Sequence, residues 1–330
     1  MIRTRGLTKD FAVGKDKTVR AVRGISLDVA PGELVAVLGP NGAGKTTTMR
    51  MLTTLIAPTS GTARVAGHDV IAEPAAVRRR IGYVGQGNGA GHNQRARDEL
   101  YSQALMYGLD RAAARHRAGE LLESLGLIDQ AQRKVSALSG GQRRRLDVAL
   151  GLVHAPSLLF LDEPTTGLDP QNRANLWAHI DRMRTEHGTT IVLTTHYLDE
   201  ADAMAERVVV VDDGQVIADD TAEALKTTLA GDRIVATAAD PGAAARLASV
   251  ARNLAGARSV TVGHDSTVDV RLDDGPAALP ELVVAAQAAG VRVLGAQVFR
   301  PTLDDVFLSL TGRRLREDDQ SSDAVKETTK

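Results

Sequence analysis

In the first two-thirds of the chain the apolar residues gather in short runs, at 34–38, 81–84, 158–161, 191–195 and 208–211. Most of these runs, rich in Val, Ile and Leu, lack alternation with polar positions, which is how strands buried on both faces read. Helical stretches separate them, most clearly at 111–125, 143–153 and 172–186. Strands alternating with helices predict a mainly parallel, layered α/β sheet. The stretch 21–29 predicts a strand of a separate antiparallel layer, closed by the turn pair Pro31-Gly32.

After about Leu229 the pattern changes. Residues 234–237 predict a strand, 242–254 an Ala-rich helix, and 259–262 with 267–272 a hairpin around Gly263-His264-Asp265. A second helix is expected at 280–289, opening on Pro280, and a last strand at 291–298. That βαββαβ order suggests a small α+β ferredoxin-like module. It carries no recognisable chemistry. From about Arg316 the residues are polar and charged with hardly an apolar anchor, the composition of a disordered tail. The predicted division is therefore 1–229, 230–315 and 316–330.

Composition narrows what such a chain can do. Hydrophobic residues make up 43% and charged residues 25% of the 330, as in ordinary soluble domains. A formal net charge of −1 provides no global field to recruit nucleic acid or anionic lipid, so phosphate must be bound by local geometry. The absence of Cys excludes disulfides, thiol nucleophiles and Cys-based zinc sites, and suits a cytosolic protein. The N-terminus MIRTRGLTKDF lacks the apolar core of a signal peptide. No apolar run approaches the roughly 20 residues that span a bilayer, so service to a membrane process would go through a partner.

Gly39-Pro40-Asn41-Gly42-Ala43-Gly44-Lys45-Thr46 fits G-x-x-x-x-G-K-[ST] at every fixed position, directly after the apolar run 34–38. Glycines let backbone N–H groups close on a β-phosphate, and a helix opening at Thr46 and Thr47 adds its positive end. Lys45 would reach the β/γ-phosphates and the Thr46 hydroxyl would ligate Mg²⁺. The loop alone says only nucleotide, since kinases, GTPases and helicases share it. The run 158–161 ends in Asp162 and Glu163. Asp162 is placed to hold Mg²⁺, and Glu163 to orient and polarise the attacking water, because phosphoryl transfer needs positioning and charge stabilisation.

Ser139-Gly140-Gly141-Gln142 precedes the helical stretch 143–153. Ser139 reads as an N-cap, yet two adjacent glycines suggest that something approaches the backbone closely. A second anion site at this helix N-terminus would explain them. One fold cannot easily bring two helix N-termini onto one triphosphate. The simplest geometry has each of two subunits offering this segment to the ATP held by the other.

These residues resemble the ATPases of the ABC family: LSGGQ at 138–142 is similar to their signature, between the phosphate loop and LLFLDEP. Gln86 in IGYVGQ resembles the Q-loop glutamine, which senses Mg²⁺ and links the site to the transporter. Asp169 in Gly167-Leu168-Asp169 resembles the D-loop, which crosses the dimer interface. His196 in TTH resembles the switch histidine that contacts the γ-phosphate. The resemblance spans about 1–229 and implies a P-loop NTPase cassette with a RecA-like core, an antiparallel β layer and a helical subdomain. It implies ATP and Mg²⁺ as cofactors, a homodimer with shared ATP sites, and a permease on a separate chain. It places the chain at the cytoplasmic face of the membrane, peripheral through that permease. Phe11 sits where the family usually places an aromatic that stacks on adenine, though a core phenylalanine reads the same way.

Within the family the chain looks most like the ATP-binding subunits of bacterial drug-resistance exporters of the daunorubicin type. That likeness rests on TTMRMLTTLIAPTSGTARVAGHDV (47–70), on LDVALGLV after the signature, and on RPTLDDVFLSLTG (300–312). The glycine-rich stretch 85–97 departs from the pattern, and Asp98-Glu99-Leu100 takes the place of the family's helix start there. A soluble ABC ATPase of translation or DNA repair is the alternative, but it usually carries two cassettes or a long coiled-coil insertion. A P-loop kinase or GTPase would need neither LSGGQ nor the TTH histidine. The arginine runs at 78–80 and 143–145 read as solvated helix faces, or as local pairing with carboxylates, and no nucleic acid is expected.

Overall fold

β1 (Ile2–Val13), β2 (Lys17–Ile25) and β3 (Asp28–Val29) begin an antiparallel sheet that the hairpin of β5 (Ser60–Val65) and β6 (His68–Asp69) completes. The computed structural model describes residues 1–14, 17–87 and 89–312. The strand expected at 21–29 is corrected: β2 starts at Lys17 and stops at Ile25, and pairing resumes at β3. Thr4 fills the gap, its Oγ1 accepting the Leu27 N–H at 2.8 Å and donating to Ile25 O at 3.2 Å. The side chain thus adds to the one backbone bond kept across these two residues, from the Thr4 N–H to Leu27 O at 2.8 Å.

The apolar runs form the second sheet. β4 (Leu34–Leu38), β7 (Ile81–Val84), β8 (Leu158–Asp162), β9 (Thr190–Thr195) and β10 (Arg207–Asp212) lie parallel, and β11 (Gln215–Asp220) joins the edge through the turn at Asp213-Gly214. The order is β11-β10-β4-β9-β8-β7. All five residues of β4 and of β8 are buried, as runs covered on both faces should be. α1 (Lys45–Leu52) packs between the two sheets, and its Met49, Met51 and Leu52 join a core with Leu7, Ile25, Val35, Phe160 and Val192. Around the parallel sheet lie α2 (Pro74–Arg80), α3 (Ala96–Met106), α4 (Arg111–Ser124), α5 (Gly140–Leu152), α6 (Pro170–His187) and α7 (Leu198–Met204). The start of α3, with Asp98 and Glu99 in its first turn, falls where the sequence placed it.

Contacts divide the chain between Asp219 and Asp220, so residues 220–229 belong to the second unit, which begins ten residues before the boundary read from the sequence. After α8 (Ala222–Leu225), that unit runs β12 (Asp232–Ala238), α9 (Pro241–Ala251), β13 (Ala257–Val262), β14 (Thr267–Leu272), α10 (Gly275–Ala288), β15 (Val293–Phe299) and α11 (Leu303–Thr311). Its sheet is antiparallel with order β13-β14-β12-β15, the order of a split βαβ pair. Ile234, Leu247, Val268, Leu282 and their neighbours form a separate apolar core. Pro280 does not open α10. Asp274 caps the helix by accepting the Ala277 N–H at 3.0 Å, and Pro280 stands inside it, exposed like Pro276, whose carbonyl it leaves unpaired and open to water. The tail expected from Arg316 lies outside the described residues. No helix among the described residues is long and apolar enough to cross a membrane.

Candidate functional site

Four neighbouring parallel strands deliver the sequence motifs to one edge of the sheet. The phosphate loop leaves β4, His196 leaves β9, Asp162 and Glu163 end β8, and Gln86 follows β7. In open α/β sheets this carboxyl edge is where ligands bind. Registry makes the convergence specific, because Leu38 pairs with Thr195 and Asp162 with Thr194.

The loop itself needs its glycines. A Cβ on Gly39 would stand 2.1 Å from Val211 O, and Gly44 caps α1 with φ +99°, where a Cβ would also meet Ala21 O at 2.5 Å. The first amides of α1 have no carbonyl in their own helix and lie at its positive end, which suits an anion. Lys45 is buried and its Nζ donates to Gly39 O at 2.6 Å and Pro40 O at 3.0 Å, across the mouth of the loop. A cavity of about 690 Å³ opens here, lined by residues 41–47, Gln86, Glu163, Asp213 and the β2 residues Thr18 to Ala21 with Arg23.

Oxygen donors gather beside the loop. Thr46 Oγ1 donates to Asp162 Oδ1 at 3.0 Å and accepts from Gln86 Nε2 at 3.3 Å. Thr194 Oγ1 donates to the same Asp162 oxygen at 2.7 Å, and Asp162 is 1% exposed. One carboxylate, a hydroxyl and an amide are hard ligands of the kind Mg²⁺ takes when substrate phosphate and water complete its shell. No cluster of three acidic or His side chains that could cage a metal alone is present among the described residues.

Glu163 sits at φ +48°, a backbone region that non-glycine residues seldom occupy. Its N–H donates to Thr194 O at 3.1 Å and Thr194 Oγ1 at 3.0 Å, and its Oε2 accepts from Thr166 Oγ1 at 3.2 Å. His196 Nδ1 stands 3.5 Å from that oxygen. The adjacent His196 ring, with help from the Lys45 charge, holds the Glu163 carboxyl below its ordinary range against the opposing effect of burial. The group is therefore an anion at neutral pH, facing the cavity over the phosphate loop.

The remaining motif residues are not brought to this cavity. Ser139 caps α5, accepting the Gln142 N–H while Gln142 Oε1 accepts the Ser139 N–H, a complete capping box. A Cβ on Gly141 would stand 2.6 Å from Asn172 Cγ, so one of the two glycines has a packing reason within the chain; Gly140 faces open space. Asp169 caps α6 and takes both the Asn172 N–H and its Nδ2, which hold its carboxyl below the ordinary range. Phe11 is 39% exposed on β1, opposite Val19, with Lys9 Nζ 5.2 Å from its ring centre, and it does not line the cavity.

Three buried charges were missed by sequence reasoning. The run 143–145 is not a solvated face: Arg144 is 8% exposed and donates to four backbone carbonyls. Its place four residues before Val148 and eight before Leu152, both buried on α5, was the available signal. Asp147, buried on the same helix, accepts the Gly89 and Ala90 N–H groups at 2.9 and 3.0 Å. Glu200 on α7 accepts from Thr165 Oγ1 at 2.8 Å and Thr195 Oγ1 at 3.3 Å, tying the loop after Glu163 to the strand before His196. The arginines at 78–80 are exposed, as expected.

Residues 22–166 match the family described as ABC transporter. The chain is 44% identical over 295 residues to the daunorubicin resistance ATP-binding protein DrrA2 of Streptomyces coeruleorubidus, covering 89% of this chain and 91% of the relative. It is 42% identical over 335 residues to the daunorubicin/doxorubicin resistance ATP-binding protein DrrA of Streptomyces peucetius, covering 100% and 97% respectively. Among solved structures it resembles the ATP-binding cassette MJ0796 in a dimeric post-hydrolysis state bound to ADP and Pi, with TM-score 0.62 and 26% identity. That match covers 67% of this chain and 98% of the other.

Proposed function

The chain belongs to the ATP-binding proteins of ABC transporters and is an ATP-binding, ATP-hydrolysing cassette, and from that premise we propose that it energises export of a hydrophobic, drug-like compound through a separate membrane permease. It works as a homodimer, held at the cytoplasmic face of the membrane by that permease. Its long, near-complete likeness to resistance ATP-binding proteins supports this reading over a soluble ABC factor of translation or repair.

The observation that carries the dimer is the separation of the motifs. Lys45, Thr46, Gln86, Asp162, Glu163 and His196 converge at one sheet edge, whereas Ser139 and Gln142 bond to each other at the cap of α5 and Asp169 bonds to Asn172 at the cap of α6. Two copies closing head-to-tail would bring the Ser139 helix terminus of one onto the triphosphate bound by the other, and the open backbone at Gly140 suits such an approach. Phosphoryl transfer to water needs positioning and charge compensation more than covalent chemistry. Thr46 and Asp162, with Gln86 beside them, would hold Mg²⁺, which supplies positive charge to the β- and γ-phosphate oxygens. Lys45 adds a second cation, Glu163 orients and polarises the water, and His196 fixes Glu163 and meets the γ-phosphate. Phe11 is the adenine-stacking candidate on β1. ATP bound preferentially by the closed dimer shifts the permease population, and hydrolysis resets it.

The test is capture of the partner. Tagged Glu163→Gln protein purified from native membranes in mild detergent with Mg-ATP should carry a stoichiometric multi-span membrane protein, identified by mass spectrometry. Ribosomal or DNA-bound partners without a permease would overturn the export reading and leave the ATPase chemistry standing.

A further inference from the structure

The guanidinium of Arg144 is enclosed by carbonyl oxygens from two separate segments of the site. Its Nε donates to Pro164 O at 2.7 Å, its Nη1 to Gly85 O at 2.7 Å, and its Nη2 to Asp162 O and Glu163 O, each at 3.2 Å. A planar group with five fixed donors spends four of its contacts on backbone and none on a carboxylate side chain. Burying a cation is costly unless its hydrogen bonds are met, so a surface arginine would not be drawn here without structural return. The placement of those carbonyls is informative. Asp162, Glu163 and Pro164 form the turn in which Glu163 holds its left-handed backbone, and Gly85 immediately precedes Gln86. Thr194 holds the Glu163 N–H, so Arg144 and Thr194 fix the two sides of the strained residue.

The same helix grips the Gln86 loop a second time. Asp147, one turn after Arg144, accepts the Gly89 and Ala90 N–H groups on one carboxylate oxygen. α5 therefore holds the stretch that departs from the family pattern both before and after Gln86, and the same helix begins at the Ser139 cap.

We propose that Arg144 is a positioning residue that locks Glu163 and the Gln86 loop into one unit carried by the Ser139 helix. A displacement of the Gln86 loop reaches the Glu163 carbonyl through one rigid plane, and so changes where the Glu163 carboxylate points. Lysine cannot substitute, because a single ammonium on a flexible stem cannot span carbonyls on both segments. The inference rests on Glu163 being the water-orienting group proposed above.

Hydrogen exchange of the full-length chain, read by mass spectrometry, tests it. Wild type, Arg144→Lys, Arg144→Gln and Arg143→Gln are compared with and without Mg-ATP. Arg143 lies on the same helix but donates to Val135 O at 3.1 Å, away from both segments. In Arg144→Lys and Arg144→Gln the amides of Gly89, Ala90, Glu163 and Thr166 should exchange at least tenfold faster, with the α1 and β4 amides unchanged and ATP affinity within threefold of wild type. Mg-ATP should protect the two segments together in wild type and separately in Arg144→Gln. Arg143→Gln should leave both segments as they are. Unchanged exchange at both segments, or faster exchange throughout the first unit, would overturn the positioning role while wild-type ATP binding kept the ATPase reading intact. A wild-type chain that failed to bind Mg-ATP would remove both.

Discussion

The first unit buries Lys45, Arg144, Asp147, Asp162 and Glu200, whereas the buried side chains described in the second unit are all apolar. Both units pack helices on a sheet, and both cores are built from Val, Leu, Ile and Ala. The difference follows from strand direction. In the parallel sheet β4, β9, β8 and β7 all end on one edge, so the loops that follow them meet. In the sheet of β13, β14, β12 and β15 neighbours run oppositely, and consecutive strand ends are sent to opposite edges. Buried charge costs free energy unless each group finds partners. The edge that collects loops provides them, as where Arg144 takes the backbone carbonyls of Asp162 and Glu163 and Asp147 takes the N–H groups of Gly89 and Ala90.

Crossed substitutions give the largest expected contrast. Glu163→Gln should cut ATP turnover by about 100-fold or more, the range expected when a group that handles the reacting water is lost, with melting temperature little changed. Leu282→Ala, at a fully buried position of the second core, should cost that unit about 2–5 kcal/mol. A lower urea midpoint for exchange of the β12 and β14 amides would report it, and ATP affinity should stay within threefold. A Leu282→Ala protein that lost ATP binding, or a Glu163→Gln protein that kept wild-type turnover, would break the division of labour drawn here.

What the sequence disclosed and what it hid divide along the same physical line. The phosphate loop, LLFLDE and LSGGQ are contiguous, and each carries its chemistry in a local string that ends a buried strand or begins a helix. Arg144 was hidden because Arg143, Arg144 and Arg145 are alike in composition and differ only in which side of α5 they occupy. Glu200 sits in α7, seven residues long and too short to announce a period. Local signals also misled where a side chain interrupts the ladder, as Thr4 does between β2 and β3, and where a proline enters a helix instead of starting it, as Pro280 does. α11 went unread although Thr302 and Asp305 form its capping box.

Glu200 offers a smaller effect with a defined sign. Burial pushes its carboxyl above the ordinary 4.5, against the pull of Thr165 and its other hydrogen-bond partners. A raised folded-state value means that folding favours the protonated form relative to the unfolded chain. Its contribution is complete below pH 4.5 and is lost as pH rises through the folded-state value. Glu200→Gln keeps an oxygen for Thr165 and Thr195 and removes the titration. Its melting temperature should therefore gain on wild type as pH rises from 4.5 towards neutrality. Glu200→Ala leaves both threonine hydroxyls without that acceptor and should cost about 1–3 kcal/mol. A difference between Glu200→Gln and wild type that shrank with rising pH would reverse the assignment.

The smallest effect on stability makes the sharpest comparison, because it sets one cap of each unit against the other. Asp240 caps α9 by accepting the Ala243 N–H at 2.8 Å, and Ser139 caps α5 by accepting the Gln142 N–H at 3.3 Å. Alanine at either position should cost about 1 kcal/mol, the usual worth of an N-cap. Thermal unfolding should thus rank the two alike. Turnover should not. Asp240→Ala leaves ATP hydrolysis at the wild-type rate, whereas Ser139→Ala also removes a hydroxyl that the closed dimer would aim at the partner's triphosphate. Loss of a hydrogen bond to a charged group, worth about 1.5–3 kcal/mol, should slow hydrolysis roughly tenfold or more. If the two alanine variants hydrolyse ATP equally fast at equal stability, Ser139 is a cap and nothing else, and the shared site must be abandoned.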